Sequence, residues 1–166
     1  MSRISLDAMV RAIRTVQALS LRQKENLVDE IFRTQPNMLN SVLALQNLGV
    51  STEKMDFAFN MLLICFQAMK ESGLTWPLIA EDEQARQLQI YTRTVRFGEE
   101  LGEPLRDRLM QQYIEGHPEQ NLLAYVGSET ANWLKRITSQ DNDKYVMLAA
   151  ANLVNCIAFV PMTVPG

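Results

Sequence analysis

The sequence predicts an all-α fold: a compact bundle of about seven or eight helices that forms a single domain over residues 1–160 and ends in an irregular tail at 161–166. Three observations support this prediction. Apolar residues recur at helical spacing, no segment shows the strict alternation of a strand, and glycine and proline fall between the apolar stripes. A chain of 166 residues is long enough to build one hydrophobic core.

The first three helices are predicted from their apolar faces and from their caps. A helix is expected over residues 5–18. A capping box of Ser20 with Gln23 predicts the start of the second helix. Pro36 suits the first turn of the third helix, and Gly49 suits a left-handed residue at its end. The expected buried faces are Leu6, Met9, Val10, Ile13 and Val16 in the first helix, and Leu27, Val28, Ile31 and Phe32 in the second.

The fourth helix is expected to be the central one. Ser51 is predicted as its N-cap, and Gly73 is predicted to end it. Residues 57–69 are apolar on nearly all sides of the helix, which is typical of a helix buried in the middle of a bundle. The following segment, 73–80, is an apolar connection that contains Trp76, and we expect it to pack against another surface.

Four more helices are predicted in the second half of the chain. The fifth helix begins at the acidic turn 81–83, the sixth at Pro104, and the seventh after the His117–Pro118 pair. Asp141 or Asp143 is predicted as the N-cap of the eighth and last helix. The last helix, over about 144–159, is the most apolar of these. It is therefore expected to share one core with the fourth helix.

Charge and cysteine usage narrow the possible functions. The net charge is −3, and no third of the chain is strongly basic, so the sequence does not favour binding to nucleic acid. Cys65 and Cys156 lie in the most apolar stretches and are expected to be reduced core residues rather than a disulfide.

The same reasoning predicts a cytoplasmic protein without a membrane span. Charged residues among the first 20 positions interrupt any apolar core of a signal peptide. The apolar segment 145–160 is shorter than the ~20 residues that span a bilayer. It also carries Asn152 and Asn155, whose amides would be costly in hydrocarbon, so a buried helix is the better interpretation.

No catalytic, cofactor-binding or metal-binding residues are predicted. The sequence has a single histidine, His117, which is expected to be an exposed loop residue or a helix cap. No glutamate lies three positions before it, as a di-iron site would need, and no phosphate-binding glycine loop is present. Gly127 and Ser128 lie in the middle of a helix and do not complete a nucleophile motif.

Four residues are candidate interface or ligand contacts. Asn152 and Asn155 lie three positions apart on an otherwise apolar helix. A buried amide needs hydrogen-bond partners, so these residues either fix a helix pairing or contact a ligand or a second chain. Trp76 in the apolar connection and Tyr145 at the start of the last helix complete the set.

The leading interpretation is a non-enzymatic protein-interaction or regulatory module that is homo-oligomeric. The fourth and eighth helices and the Trp76 segment present more apolar surface than one small domain is expected to hide, so a partner is expected to cover part of it.

Three alternatives stay open. The first is a protein that binds an apolar small molecule or lipid, with Tyr145, Asn152 and Asn155 as its polar contacts. The second is an enzyme whose site carries no recognisable motif. The third is a DNA-binding protein that uses the helix-turn-helix-like segment 38–64, although the acidic residues that open its second helix would face phosphates.

Overall fold

The computed structural model describes residues 2–162, and over this range the chain forms eight α-helices and one short 3-10 helix, with no strand. The prediction of an all-α helical bundle is therefore confirmed. The α-helices are α1 (Leu6–Gln17), α2 (Leu21–Thr34), α3 (Pro36–Leu43), α4 (Thr52–Glu71), α5 (Glu81–Glu100), α6 (Glu103–Glu115), α7 (Gln120–Arg136) and α8 (Asp143–Phe159). None of them is long and apolar enough to cross a membrane.

The end of the chain is described only in part. Residues 161–162 follow α8 without regular secondary structure. The remainder of the predicted irregular tail, 163–166, lies outside the described residues, as does Met1.

Local signals place most helix ends as predicted. The side chains of Ser20 and Gln23 form the expected capping box, and the Ser51 side chain accepts a hydrogen bond from the backbone of Lys54. Gly49 and Gly73 adopt the left-handed conformation, with φ of 79° and 73°. The third helix differs from the prediction in one respect, because its last turns before Gly49 form the 3-10 helix (Ala44–Leu48).

The core is built around α4. This helix contacts α1, α2, α3, α7 and α8, and most of its side chains are buried. The buried apolar residues of α4 and α8 belong to one continuous cluster, as expected from their composition. The chain itself therefore covers most of α4 and α8, the two helices for which the sequence suggested an external partner.

Three residues on the predicted buried faces are exposed instead. Leu6 and Val10 are 64% and 37% exposed, and Phe32 is 63% exposed. In α1 the face against α4 includes Ala8 and Ala12, whose small side chains let the two helices approach closely. The larger apolar residues on the flank of that face stay in solvent.

The pair α5 and α6 lies at the periphery of the bundle. Only Gln87 and Gly98 are buried in α5, and no residue of α6 is buried. The pair rests on the bundle through contacts of α5 with α8 and of α6 with α7. These two helices consequently leave apolar side chains in solvent: Leu88, Ile90, Phe97, Leu105, Met110 and Ile114.

Candidate functional site

His117 is buried, which corrects the prediction of an exposed loop residue. It lies between α6 and α7 with 5% of its surface exposed. Its Nδ1 accepts the backbone N–H of Glu119 at 3.0 Å, so Nε2 carries the proton and donates to Asn155 Oδ1 at 2.9 Å. The hydroxyl of Tyr113 donates to the same oxygen at 2.9 Å. The buried imidazole of His117 is thus stabilised by a hydrogen bond to Asn155, a residue 38 positions away in the sequence.

Glu119 extends this network to the start of the chain. Its fully buried carboxylate accepts the backbone N–H of Arg3 at 2.8 Å and that of Ile4 at 3.3 Å. Burial raises the pKa of Glu119, and these hydrogen bonds with the nearby Arg3 charge offset that rise only in part. The Arg3 guanidinium donates to the carbonyls of Ile157, Ala158 and Val160 at the end of α8.

The resulting His117 network consists of Arg3, Tyr113, His117, Glu119 and Asn155. It joins the N-terminal segment, α6, the α6–α7 connection and α8. Both ring nitrogens of His117 are engaged inside the chain, so the geometry is that of a structural network rather than of a free general base. Asn155, predicted as a ligand or interface contact, has its carbonyl oxygen committed here to two internal donors.

Lys54 and Asp143 form a second buried polar cluster. The ammonium of Lys54 meets three acceptors: Asp143 Oδ1 at 2.5 Å, the Thr138 carbonyl at 2.9 Å and Gln140 Oε1 at 3.1 Å. The pair fastens the α7–α8 connection to the first turn of α4. Asp143 therefore serves the ion pair and is not the predicted cap, because Asn142 holds the N-cap position of α8 without a side-chain capping bond.

This cluster bears on the DNA-binding alternative. In a recognition helix, basic and amide side chains in the first turns reach phosphates and bases. Here the one basic residue of the first turn of α4, Lys54, is buried in its ion pair, and the exposed charged residues beside it are Glu53 and Asp56. The geometry of segment 38–64 does not favour contact with a duplex.

Trp76 packs against its own chain. Its indole N–H donates to the Met69 carbonyl at 2.9 Å and lies 3.0 Å from Ser72 Oγ, both at the end of α4. The Arg3 guanidinium lies 5.2 Å from the centre of its ring, within cation–π range. These contacts hold the apolar connection against the end of α4, and Trp76 remains half-buried.

Tyr145 and Asn152, the other two predicted contacts, line a common cavity that we call the Asn152 pocket. The cavity has a volume of about 300 Å³ and lies between the 3-10 helix, α5 and α8. Its walls are mainly aliphatic and include Leu45, Leu48 and Leu88. The structure thus brings two of the four predicted residues together, while Trp76 and Asn155 lie elsewhere.

A larger apolar depression, the α6 groove, lies where α6 meets α7 and α8. Its volume is about 380 Å³. We define it by Met110, Ile114, Val126, Gly127, Met147 and Ala151. A Cβ atom added to Gly127 would meet nothing within 4 Å, so the groove is open above this glycine.

The sequence interpretation missed the α6 groove. The available signal was a glycine in the middle of α7, where glycine costs about 1 kcal/mol relative to alanine. A small residue there leaves room for a neighbouring side chain. The sequence showed Gly127, but it did not show that α6 stands away from α7 at that position.

The comparisons with known proteins add no functional assignment. Neither protein-family models, nor curated proteins, nor solved structures match this chain. Among residues 2–162, no group of three or more His, Cys, Asp or Glu side chains is arranged to hold a metal ion.

Proposed function

We propose that this chain is a non-enzymatic protein-interaction module, that the α6 groove is its docking surface, and that a second copy of the chain occupies it. The observation that carries the proposal is the open, largely apolar lining of the groove. Apolar grooves that accept the side chains of a helix are a recurrent mode of protein recognition. The two methionines on its walls, Met110 and Met147, are flexible enough to adapt to a bound side chain.

The poor burial of α6 supports the same proposal. A helix in a soluble protein normally buries one apolar stripe, and α6 buries no residue. Leu105, Met110 and Ile114 stay 53%, 40% and 47% exposed. Covering side chains that are already half-buried contributes about 1 kcal/mol each, so a partner on this helix would be stabilised chiefly by desolvation.

A second copy is the favoured occupant because the chain itself offers exposed apolar side chains on its two peripheral helices. Phe97 and Leu105 flank the α5–α6 connection, and both are more than half exposed. In a two-fold dimer each copy presents the same surface to the other, so these residues can enter the partner's groove twice. A different protein bearing an amphipathic helix is the competing occupant.

Substitutions at Gly127 test the proposal without disturbing the core. Gly127→Leu places a side chain in the open groove, whereas Gly127→Ala adds only a methyl group and serves as the matched control. We expect the wild type and Gly127→Ala to sediment as dimers at about 100 µM, where even a micromolar dimer is populated. Gly127→Leu should sediment as a monomer with unchanged helicity by circular dichroism.

Two results would overturn the proposal. A wild-type chain that sediments as a monomer at that concentration would exclude the second copy as occupant. A dimer that persists unchanged in Gly127→Leu would place the interface on another surface.

A further inference from the structure

A small cavity that we call the Asn155 cavity lies between α5, α6 and α8. Its volume is about 250 Å³, and Tyr91, Tyr113 and Phe159 supply aromatic side chains to its wall. The ring centres of Tyr91 and Tyr113 lie 6.2 Å apart. None of the residues that define the α6 groove lines this cavity. A ligand that fits it must be small and largely apolar.

Asn155 presents an unpaired hydrogen-bond donor to this cavity. Its Oδ1 accepts from the Tyr113 hydroxyl and from His117 Nε2, each at 2.9 Å, and these two bonds fix the orientation of the amide. Nδ2 therefore lies on the other side of the amide, and it has no acceptor among residues 2–162. Asn155 is only 3% exposed, yet Nδ2 is not one of the unpaired side-chain atoms that are shut off from water. Because Asn155 lines the cavity, water or a ligand group there reaches this donor.

Gln87 presents an unpaired acceptor to the same cavity. It is 4% exposed, and its Nε2 donates to Glu83 Oε1 at 3.0 Å. The pKa of Glu83 is lowered, chiefly by its hydrogen bond with Arg86, so this carboxylate is ionised and can only accept. The bond to Glu83 therefore fixes the Gln87 amide and leaves Oε1 on its other side. Oε1 has no donor among the described residues and, like Asn155 Nδ2, is not shut off from water.

The cavity carries little net charge. Among the described residues that line it, Arg86 is the only charged one. Its guanidinium donates to both carboxylate oxygens of Glu83, at 3.0 and 2.8 Å, so its charge is compensated. Burial raises the pKa of Tyr91 and of Tyr113, which keeps both phenols neutral. An anion in this cavity would lose hydration without gaining an unpaired cation, and an uncharged ligand is therefore favoured.

We propose that the Asn155 cavity binds a small uncharged aromatic carboxamide, whose carbonyl oxygen accepts from Asn155 Nδ2 and whose N–H donates to Gln87 Oε1. A carboxamide offers both an acceptor and a donor without a charge, and an aromatic ring suits the aromatic wall. The chain already holds the two protein amides by their inner atoms, so binding requires no reorientation of either one. This inference goes beyond the interaction function and does not depend on the oligomeric state.

Three matched probes test the chemistry on the full-length protein. Benzamide, acetophenone and benzoate share one aromatic ring and differ only in the polar group. The readout is the side-chain NH2 resonances of Asn155 in ¹H–¹⁵N spectra during titration. We expect a saturable shift with benzamide. Acetophenone lacks the donor and should bind about fivefold more weakly, and benzoate, which also carries a charge, at least about tenfold more weakly.

Two variants link the binding to the proposed atoms. Asn155→Asp keeps an acceptor for Tyr113 and His117 but replaces Nδ2 by an oxygen, so benzamide should bind at least about tenfold more weakly. Gln87→Met has a similar size and helix propensity but lacks Oε1, so benzamide should lose its advantage over acetophenone. Backbone resonances beside Thr94 in the cavity wall report binding to both variants, and circular dichroism checks that they fold. If Asn155→Asp does not fold, the order of the probes and Gln87→Met decide the question.

The proposal has clear contrary outcomes. It is overturned if benzamide causes no saturable shift up to its solubility limit, because the cavity then holds only water. Binding of benzoate as tight as that of benzamide would contradict the uncharged ligand. Binding of acetophenone as tight as that of benzamide to the wild type would contradict the assignment of a carboxamide. Because Gly127, where oligomerisation is tested, does not line this cavity, failure of either proposal leaves the other standing.

Discussion

At the scale of single residues, burial determines the chemistry of the two thiols. Cys65 and Cys156 are both free and buried in the core. Burial raises the pKa of each thiol to about 12. The thiolate is the reactive form, so neither side chain offers a nucleophile at neutral pH.

This state of the thiols predicts their reactivity. We expect neither Cys65 nor Cys156 to react with a thiol-specific reagent such as 5,5′-dithiobis(2-nitrobenzoate) in the native protein at pH 8. Both should react rapidly in concentrated urea, which serves as the control. A thiol that reacts in the native state at the unfolded rate would show that the cysteine is not buried as described.

The ion pair of Lys54 with Asp143 makes a pH-dependent contribution to stability. Burial raises the pKa of Asp143. The hydrogen bonds that its carboxylate accepts from Lys54 and from the backbone of Gln140, together with the Lys54 charge, lower the pKa by more than burial raises it, so the pKa lies below its ordinary value. A carboxylate with a lowered folded pKa stabilises the fold above its unfolded pKa. It loses that contribution as the pH falls through the folded pKa.

Removing the cation should therefore be costly near neutral pH. Lys54→Met leaves Asp143 buried without its partner, and we expect a loss of about 3 kcal/mol in the free energy of unfolding at pH 7. Because protonation relieves the uncompensated charge, the loss should shrink as the pH is lowered towards about 4. Urea unfolding at both pH values measures the change.

The matched control is Lys70→Met. Lys70 pairs with Glu30 at 2.8 Å, but the two side chains are 41% and 32% exposed, so the expected loss is below about 1 kcal/mol. Equal losses in the two variants would contradict the distinction between the buried and the exposed pair.

At the scale of helices, the predictions that depend on adjacent residues were correct, whereas those that depend on distant parts of the chain were not. Ser20, Ser51 and Gly73 were correctly predicted as helix ends, because capping and left-handed turns depend on a few adjacent residues. The predictions that Phe32 is buried and that His117 is exposed were both wrong, because the burial of these residues does not depend on adjacent residues. Whether an apolar flank is covered, or a polar side chain is drawn inside, depends on partners far along the chain.

The candidate sites were likewise predictable from the sequence only where the signal was local. The sequence marked Tyr145 and Asn152 as polar residues on an apolar helix, and the structure places both at one pocket. It could not show that Asn155 pairs with His117 or that Lys54 meets Asp143 across 89 positions. It also could not show the α6 groove, which exists only through the separation of two helices.

Two glycines of opposite conformational role provide a test at this scale. Gly127 lies within α7 at an ordinary helical conformation with open space around it, so Gly127→Ala should stabilise the protein by about 1 kcal/mol. In a chain of this length that corresponds to a rise of about 2–4 °C in Tm. Gly49 has a φ of 79°, so Gly49→Ala should destabilise by about 1–2 kcal/mol.

Thermal unfolding followed by circular dichroism compares these two variants with the wild type. Opposite shifts in Tm are expected. At a concentration where the chain is monomeric, a fall in Tm for Gly127→Ala would mean that the chain itself already fills the space above Gly127, which would also remove the basis of the α6 groove.

At the scale of the whole molecule, the bundle consists of a well-packed part and a peripheral pair of helices. The helices α1, α4 and α8 contribute much of the continuous core, whereas α5 buries only two residues and α6 buries none. An interaction module needs a surface whose coverage by a partner is favourable. The peripheral pair and the α6 groove supply that surface without using the residues that hold the core together.

The most direct test of the central claim is native mass spectrometry of the wild-type chain over a series of concentrations, with a denatured sample as control. The interaction proposal predicts a species of twice the chain mass whose share rises with concentration, next to a single-chain mass in the denatured sample. A single-chain mass at every concentration in the native spectra would contradict the claim that a second copy occupies the α6 groove.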